Sequence, residues 1–406
     1  MIRLELKHRV IALILALAAA GGGRCARMEE HCAVTLAFAG DIIMHIPVKT
    51  CAMRRDVKDE KGNSLNNSGF DYLFEKIAPE FAGCDAVQGN MEFPVSPPYT
   101  SKPWVFNCVP EVLPALKKAG FTMLTVANNH ILDQGKEGLL SSIWLLNKYG
   151  LVPLGAGATE TEARSGHVLE KNNLRVGFLA YTRTVNRAFP KDKDGIYINN
   201  FNKSDRVKED IAAMRARCDF LVLTVHSGDE YAKSPPAKDR AAFRECLEQG
   251  ADIIIGHHPH ILQEAERYTA GDGRVCHIFY SLGNFISNQS STFPVKGHTV
   301  PLSVRDSAIV KVTLTGKSGN IGRRLTVIPI RTVNEHRPTG RYHRDIQPIS
   351  LAAEKKTVRA ALSAAKLGEQ AALEKQLKYL IDKSALIKGV LFGDAIYDDL
   401  VFDDER

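Results

Sequence analysis

Eight cysteines lie scattered at positions 25, 32, 51, 84, 108, 218, 246 and 276, and no two of them form a C-x-x-C pair. Zinc-finger and dithiol redox classes therefore have no support, although an oxidising compartment is compatible with the count. Cys218 and Cys276, at the edges of apolar runs, suit small buried residues. Also missing is any run of Lys and Arg interleaved with aromatics, so nucleic acid is not expected as a partner despite a formal net charge of +7. The one long apolar run, Val10 to Ala20, falls well short of the roughly 20 residues that a permanent membrane span needs. Disorder is excluded too. With 44% hydrophobic and 24% charged residues over 406 positions, the chain can bury one large domain with an appendage.

What that N-terminal run does resemble is a secretory leader. Arg3, Lys7 and Arg9 precede it, and Ala18 to Ala20 supply a small-residue cleavage site, so residues 1–20 are expected to be removed on export. Cys25 would suggest a lipid anchor, but Arg24 stands where a lipobox needs a small residue, which favours release as a soluble extracytoplasmic protein, in the periplasm or at the cell surface. Losing the leader leaves the protein mildly basic, and a basic cleft attracts anionic substrates.

The most informative stretch is Gly250 to Ile261. Ile253, Ile254, Ile255 and Gly256 read as a buried parallel strand, and its end carries His257, His258 and His260 around Pro259. Neutral imidazole is the commonest metal ligand, and strand ends are where open α/β sheets bind ligands.

The same arrangement recurs along the chain. Val34 to Asp41 is a β-type run ending in Gly-Asp; Asp85 to Asn90 is another, followed by Met91 and Glu92; Phe121 to Ala127 ends in Asn128, Asn129 and His130, with Asp133 three residues on. Asp219 to His226 ends in histidine, with Glu230 and Tyr231 just beyond, and Cys276 to Asn284 closes on Gly-Asn. Between these runs the pattern turns helical, over Phe70 to Ile77, Pro110 to Gly120, Glu137 to Tyr149, Asp205 to Arg217 and Ala237 to Gly250. The Pro-rich segment Pro94 to Pro103 is expected to cross the mouth of the sheet. Asp306 to Leu314 and Leu325 to Val333 read as an antiparallel pair turned at Gly316 to Gly319. Domain boundaries follow at 33–333 for the main domain and 345–406 for a helical appendage. Within the appendage, helices Ser350 to Lys366 and Glu369 to Lys383 hinge near Gly368, and a loose acidic end runs from Asp394.

Alternating strands and helices with right-handed crossovers keep strand C-termini on one edge. Asp41, Asn90, Glu92, Asn129, His130, His226, His258 and His260 should then share one rim, although they span most of the chain. Mixed His, Asp, Glu and Asn donors suit a first-row divalent ion such as zinc, manganese or iron. Two such ions could polarise an ester or amide and generate hydroxide near neutral pH.

Six blocks carry a family resemblance: Gly40-Asp41; Gly89-Asn90-Met91-Glu92; Asn128-Asn129-His130 with Asp133; His226 with Glu230-Tyr231; Gly256-His257-His258-Pro259-His260 with Gln263; and Ser281 to Phe285 with Asn284. In this order they closely resemble the CapA (PgsA) family of poly-γ-glutamate capsule synthesis, over about Val34 to Ile286. The resemblance implies a calcineurin-like metallophosphatase fold, a four-layer α-β-β-α sandwich within the α/β class. It also implies an extracytoplasmic site of action and one or two divalent metal ions. Carried over by position, Asp41, Glu92, Asn129, His226, His258 and His260 would be the metal ligands. His130 would be the acid near the leaving group, oriented by Asp133, with Asn90, Asn128, Glu230, His257 and Asn284 elsewhere in the pocket. Two departures stand out. The wider metallophosphatase pattern has Asp-x-His first and Gly-Asp second, where this chain has Asp41-Ile-Ile and Asn90-Met-Glu92, and this bears on the number of metals. Ser227 stands where relatives often have tryptophan, which bears on the pocket wall. The expected partners are an anionic polymer or phosphoester substrate and a capsule-synthesis membrane complex. The expected role is a metal-dependent hydrolase or transferase, or alternatively a non-catalytic assembly protein that keeps the fold.

Overall fold

The computed structural model describes residues 33–53, 57–58, 64–290, 302–336, 344–395 and 397–405. The leader expected over residues 1–20, and Cys25 and Cys32, lie outside these residues. Two sheets form the body. The larger runs β14 (Arg344–Ser350), β13 (Asn320–His336), β12 (Asp306–Lys317), β1 (Val34–Ile42), β2 (Ala86–Met91), β3 (Met123–Thr125) and β4 (Val152–Leu154), with β11 (Asn284–Ile286) beside β1 and β15 (Leu400–Phe402) beside β13. The smaller runs β9 (Ala265–Thr269), β10 (Val275–Phe279), β8 (Ile253–His257), β7 (Phe220–His226), β6 (Leu174–Thr182) and β5 (His167–Lys171).

Strand alternation explains why the sheets stack. Val34, Leu36 and Phe38 of β1 enter the same apolar cluster as Phe220 and Val222 of β7 and Ile253 and Ile255 of β8. Their alternate neighbours Ala37 and Ala39 face an outer cluster with Val112, Leu116, Leu139 and Leu146 from α3 (Val112–Ala119) and α4 (Gly135–Lys148). Leu221, Leu223 and Ile254 face the opposite outer cluster, with Ile211 of α6 (Ser204–Arg215) and Phe243 of α7 (Ala237–Glu248). Because side chains on a strand point alternately to its two faces, each sheet is covered on both, and the layers run helix, sheet, sheet, helix. That is the four-layer sandwich expected from the resemblance. Among the described residues the remaining α-helices before the tail are α1 (Ile46–Met53), α2 (Phe70–Phe74) and α5 (Glu160–Arg164).

The sheets are mixed, not parallel throughout. β1 pairs parallel with β2 and β11 but antiparallel with β12, and β12, β13 and β14 continue antiparallel. The run read as one strand from Cys276 to Asn284 is two: β10 belongs to the small sheet, Tyr280–Gly283 crosses over, and β11 joins the large one.

Two helices follow β14, α8 (Leu351–Ala364) and α9 (Leu367–Phe392), so the C-terminal helical segment is present. Three expectations about it change. Arg344–Ser350 is an edge strand, a position that tolerates Pro348. The helices separate at Ala365 and Lys366, both extended, and Gly368 lies inside α9, where Glu369 accepts the Lys366 amide at 3.3 Å and starts the new helix. The acidic end is docked: β15 pairs parallel with β13, and Asp404 meets the buried Lys355 at 3.1 Å. Leu380, Ile387 and Leu391 of α9 also enter the cluster between the sheets. Among the described residues no helix is long and apolar enough to cross a membrane.

Candidate metal centre

Two glycines bring the two sheets' strand ends together. A Cβ on Gly40 would stand 2.0 Å from the Gly283 carbonyl oxygen, and one on Gly256 2.0 Å from that of Tyr280. Only bare backbone lets the crossing segment lie against both β1 and β8, so Asp41 and His257 emerge side by side. Their distance shows it: His257 Nδ1 is 3.0 Å from Asp41 Oδ1.

Asp41 is the hub. It is fully buried, accepts Asn90 Nδ2 at 2.8 Å and the His258 amide at 3.3 Å, and lies 3.2 Å from His260 Nδ1. Burial alone would raise its carboxyl, but the His257 and His260 imidazoles beside it outweigh that and hold it well below the usual carboxylate range. His260 responds in the opposite direction. Burial disfavours its charge, yet Glu92 and Asp41 lift it to about 9. Glu92 is pushed well above its usual value by burial, despite His260 at 3.7 Å.

His226 and His258 are neutral for the same underlying reason. Burial, reinforced by neighbouring imidazoles, holds His226 well below its ordinary value and takes His258 down to about 3. Their rings are 4.7 Å apart. Asn90 Nδ2, a donor, sits 3.2 Å from His226 Nδ1, so the ring proton lies on Nε2 and is donated to Asn129 Oδ1 at 2.9 Å. Asn90 is itself oriented by Thr125 and by Asn128, whose side-chain nitrogen also reaches the Met91 carbonyl. The turn is tense: His258 has φ 100 and His260 φ 60, the left-handed region that costs a non-glycine residue about 1–3 kcal/mol. The Asp41 carboxylate and the Tyr231 amide, which donates to Pro259 O at 2.8 Å, hold it there.

The donors form overlapping triads. Asp41, Glu92 and His260 offer atoms within 4.8 Å of one another; so do Glu92, His226 and His258, and so do Glu230, His258 and His260. Fit to a cation can be judged from the buried atoms. Among the described residues Glu92 Oε1 and His258 Nδ1 are buried and accept or donate no hydrogen bond, a costly state that a divalent ion between them would relieve. Two triads sharing the Glu92 carboxylate suit one or two ions of the zinc, manganese or iron type.

A cleft of about 530 Å³ opens above, lined by His130, Glu230, Tyr231, His258 and His260 with Trp104 and Phe106. His130 Nδ1 lies 2.7 Å from Asp133 Oδ2, and its ring stacks on Phe106 with centroids 4.0 Å apart. Asp133 also accepts the Phe106 amide at 2.6 Å. Asn284 Oδ1 accepts from His260 Nδ1 at 3.1 Å, and its Nδ2 donates to Gln289 Oε1 and to the Val304 carbonyl.

Every residue expected on the rim is thus gathered here. Sequence reasoning missed Phe106, Trp104 and Gln289, which line the cleft, and Asn186. Asn186 Nδ2 lies 3.1 Å from His130 Nδ1, and its Oδ1 accepts from Asn129. It follows β6, a strand whose polar tip obeys the same rule as the others and could have been found by it. Phe106 and Trp104 lie in the Pro-rich loop, where no periodic signal exists.

Comparison with known proteins follows the same lines. The chain is 30% identical over 311 residues to the capsule biosynthesis protein CapA of Bacillus anthracis, covering 74% of this chain and 68% of that protein. It is 30% identical over 328 residues to the PGA biosynthesis protein CapA of Bacillus subtilis, covering 79% and 78%. A probable polyglutamine synthesis accessory protein of Mycobacterium tuberculosis is 23% identical over 236 residues, 52% of this chain and 62% of that one. Among solved structures, a putative 5'-nucleotidase from Staphylococcus aureus in complex with alpha-ketoglutarate aligns with a TM-score of 0.44 at 12% identity, over 86% of this chain and 58% of that one. The family model described as bacterial capsule synthesis protein PGA_cap matches residues 35–289, the span that holds every donor described above, and the chain belongs to that family.

Proposed function

We propose that this protein is an extracytoplasmic, divalent-metal-dependent hydrolase or transferase that acts on an anionic surface polymer in poly-γ-glutamate capsule synthesis. The observation that carries the reading is the pair of buried donor triads joined at Glu92 beneath an open cleft. Relatives named for capsule and PGA biosynthesis support the choice of polymer. A bound divalent ion would supply Lewis-acid polarisation of the scissile group.

The chain's own residues do the rest. Asp41, Glu92, Asn129, His226, His258 and His260 would hold the metal, and His226 would exchange its Nε2 proton for the ion. Asp133 Oδ2, 2.7 Å from His130 Nδ1, would stabilise the doubly protonated ring, whose Nε2–H can then pass a proton to a leaving group in the cleft. Trp104 and Phe106 line one flank of the cleft.

The test is metal analysis of purified protein, with turnover measured on bis-p-nitrophenyl phosphate and on poly-γ-glutamate. One or two bound ions with metal-dependent turnover of either substrate support the reading. Bound metal with no turnover of either would replace it with the non-catalytic assembly role. His258→Ala is expected to lose metal while staying folded, and unchanged metal content would remove that residue from the ligand set.

A further inference from the structure

Beside the cleft lies a second hollow of about 300 Å³. Met44, Ile46 and Pro47, at and before the start of α1, line one part of it, and Trp104 and Phe106 line another. The same two aromatic residues line the 530 Å³ cleft, so the two hollows adjoin at that shared wall. Lys102 and Arg344 place two cationic side chains on its lining. Among the described residues Arg344 donates only to a neutral acceptor, Asn334 Oδ1 at 2.8 Å. Behind the wall, the Lys49 ammonium donates to Ser101 Oγ and, at 2.8 Å, to the Asn107 carbonyl, pinning the loop that carries Trp104 and adding a third positive charge.

We propose that this hollow is a binding subsite for the adjoining unit of a linear polymer whose repeat combines a short methylene stretch with a carboxylate. The proposal rests on the functional reading above and specifies how that cleft would hold a chain. Methylenes fit the Met44, Ile46 and Trp104 walls through apolar burial, while Arg344 and Lys102 meet the carboxylate. A cationic chain would be repelled, and an uncharged one would leave both cations unmatched.

The experiment is calorimetric titration of the metal-loaded protein with the γ-glutamyl dimer and octamer, read as the ratio of their affinities. One charge-assisted contact plus apolar burial should give the octamer at least about a tenfold advantage. Arg344→Gln, and separately Ile46→Trp, which fills the hollow, should each cut that ratio to below about threefold while metal content stays unchanged. An octamer of γ-glutamine should lose most of the advantage in the wild type. A wild-type ratio near one, or a ratio untouched by both substitutions, overturns the subsite. Failure of the functional reading looks different: no turnover of either substrate, with an Arg344-dependent length ratio still present.

Discussion

Replacing Gly40 by alanine tests the geometry on which the metal centre depends. The added Cβ would lie 2.0 Å from the Gly283 oxygen and 3.0 Å from its carbonyl carbon, so β1 and the crossing segment must part by about 1.4 Å to reach ordinary contact. Overpacking of this kind costs about 1–3 kcal/mol. The same oxygen accepts the Asp41 amide at 2.9 Å, and losing that bond adds about 1 kcal/mol. The expected destabilisation is therefore about 2–4 kcal/mol, measured by urea unfolding with chelator present. Metal content should fall as well, because Asp41 is the next residue. Gly368→Ala is the control of opposite sign: a Cβ there meets nothing within 4 Å on α9, and helix propensity should stabilise the protein by up to about 1 kcal/mol. If Gly40→Ala unfolds within about 0.5 kcal/mol of the wild type and keeps its metal, the claim that bare backbone joins the two sheets is refuted.

Two further outcomes concern the C-terminal segment. His277 is buried 3.3 Å from Asp399, and burial outweighs that carboxylate to take it down to about 4. Neutral when folded but protonated in the unfolded chain below about 6.5, it should make stability fall as pH drops from 6.5 towards 4, at about 1.4 kcal/mol per unit; His277→Asn should flatten the slope by that amount in chelator-treated protein, and an unchanged slope refutes it. Deleting residues 397–406 removes β15 and strips Asp404 and Glu405 from Lys355, which is 1% exposed, so unfolding stability should drop by about 3–5 kcal/mol, and a drop below about 1 kcal/mol would show that this end is not docked.

How much of this was legible beforehand depends on whether a feature has a local cause. Buried strands were readable from their apolar runs, and the donors were readable because each stands at the end of such a run or just past it: Asp41 in the last two residues of β1, Glu92 after β2, His226 at the end of β7, His257 at the end of β8. Strands β14 and β15 were not readable, since Arg344–Ser350 contains Pro348 and Leu400–Phe402 is three residues long; pairing with β13 creates them, not propensity. Phe106 stayed hidden because its role, a ring under His130 and an amide on Asp133, is visible only once the loop is folded back.

The one feature misread within the site itself is also the one that explains it. A continuous strand from Cys276 to Asn284 would have kept all those residues in one sheet. By leaving β10 at Phe279 and entering β11 at Asn284, the chain links the two sheets, with Leu282 donating its amide to Gly256 O at 3.3 Å and Gly283 accepting from Asp41 at 2.9 Å. The same four-residue passage therefore touches the glycine before His257 and the residue after Gly40. Two half-sites, each readable as a polar strand tip, become one centre only through that contact. A perturbation of the passage should therefore move Asp41 and His257 together, whereas one confined to either sheet's far edge should move neither.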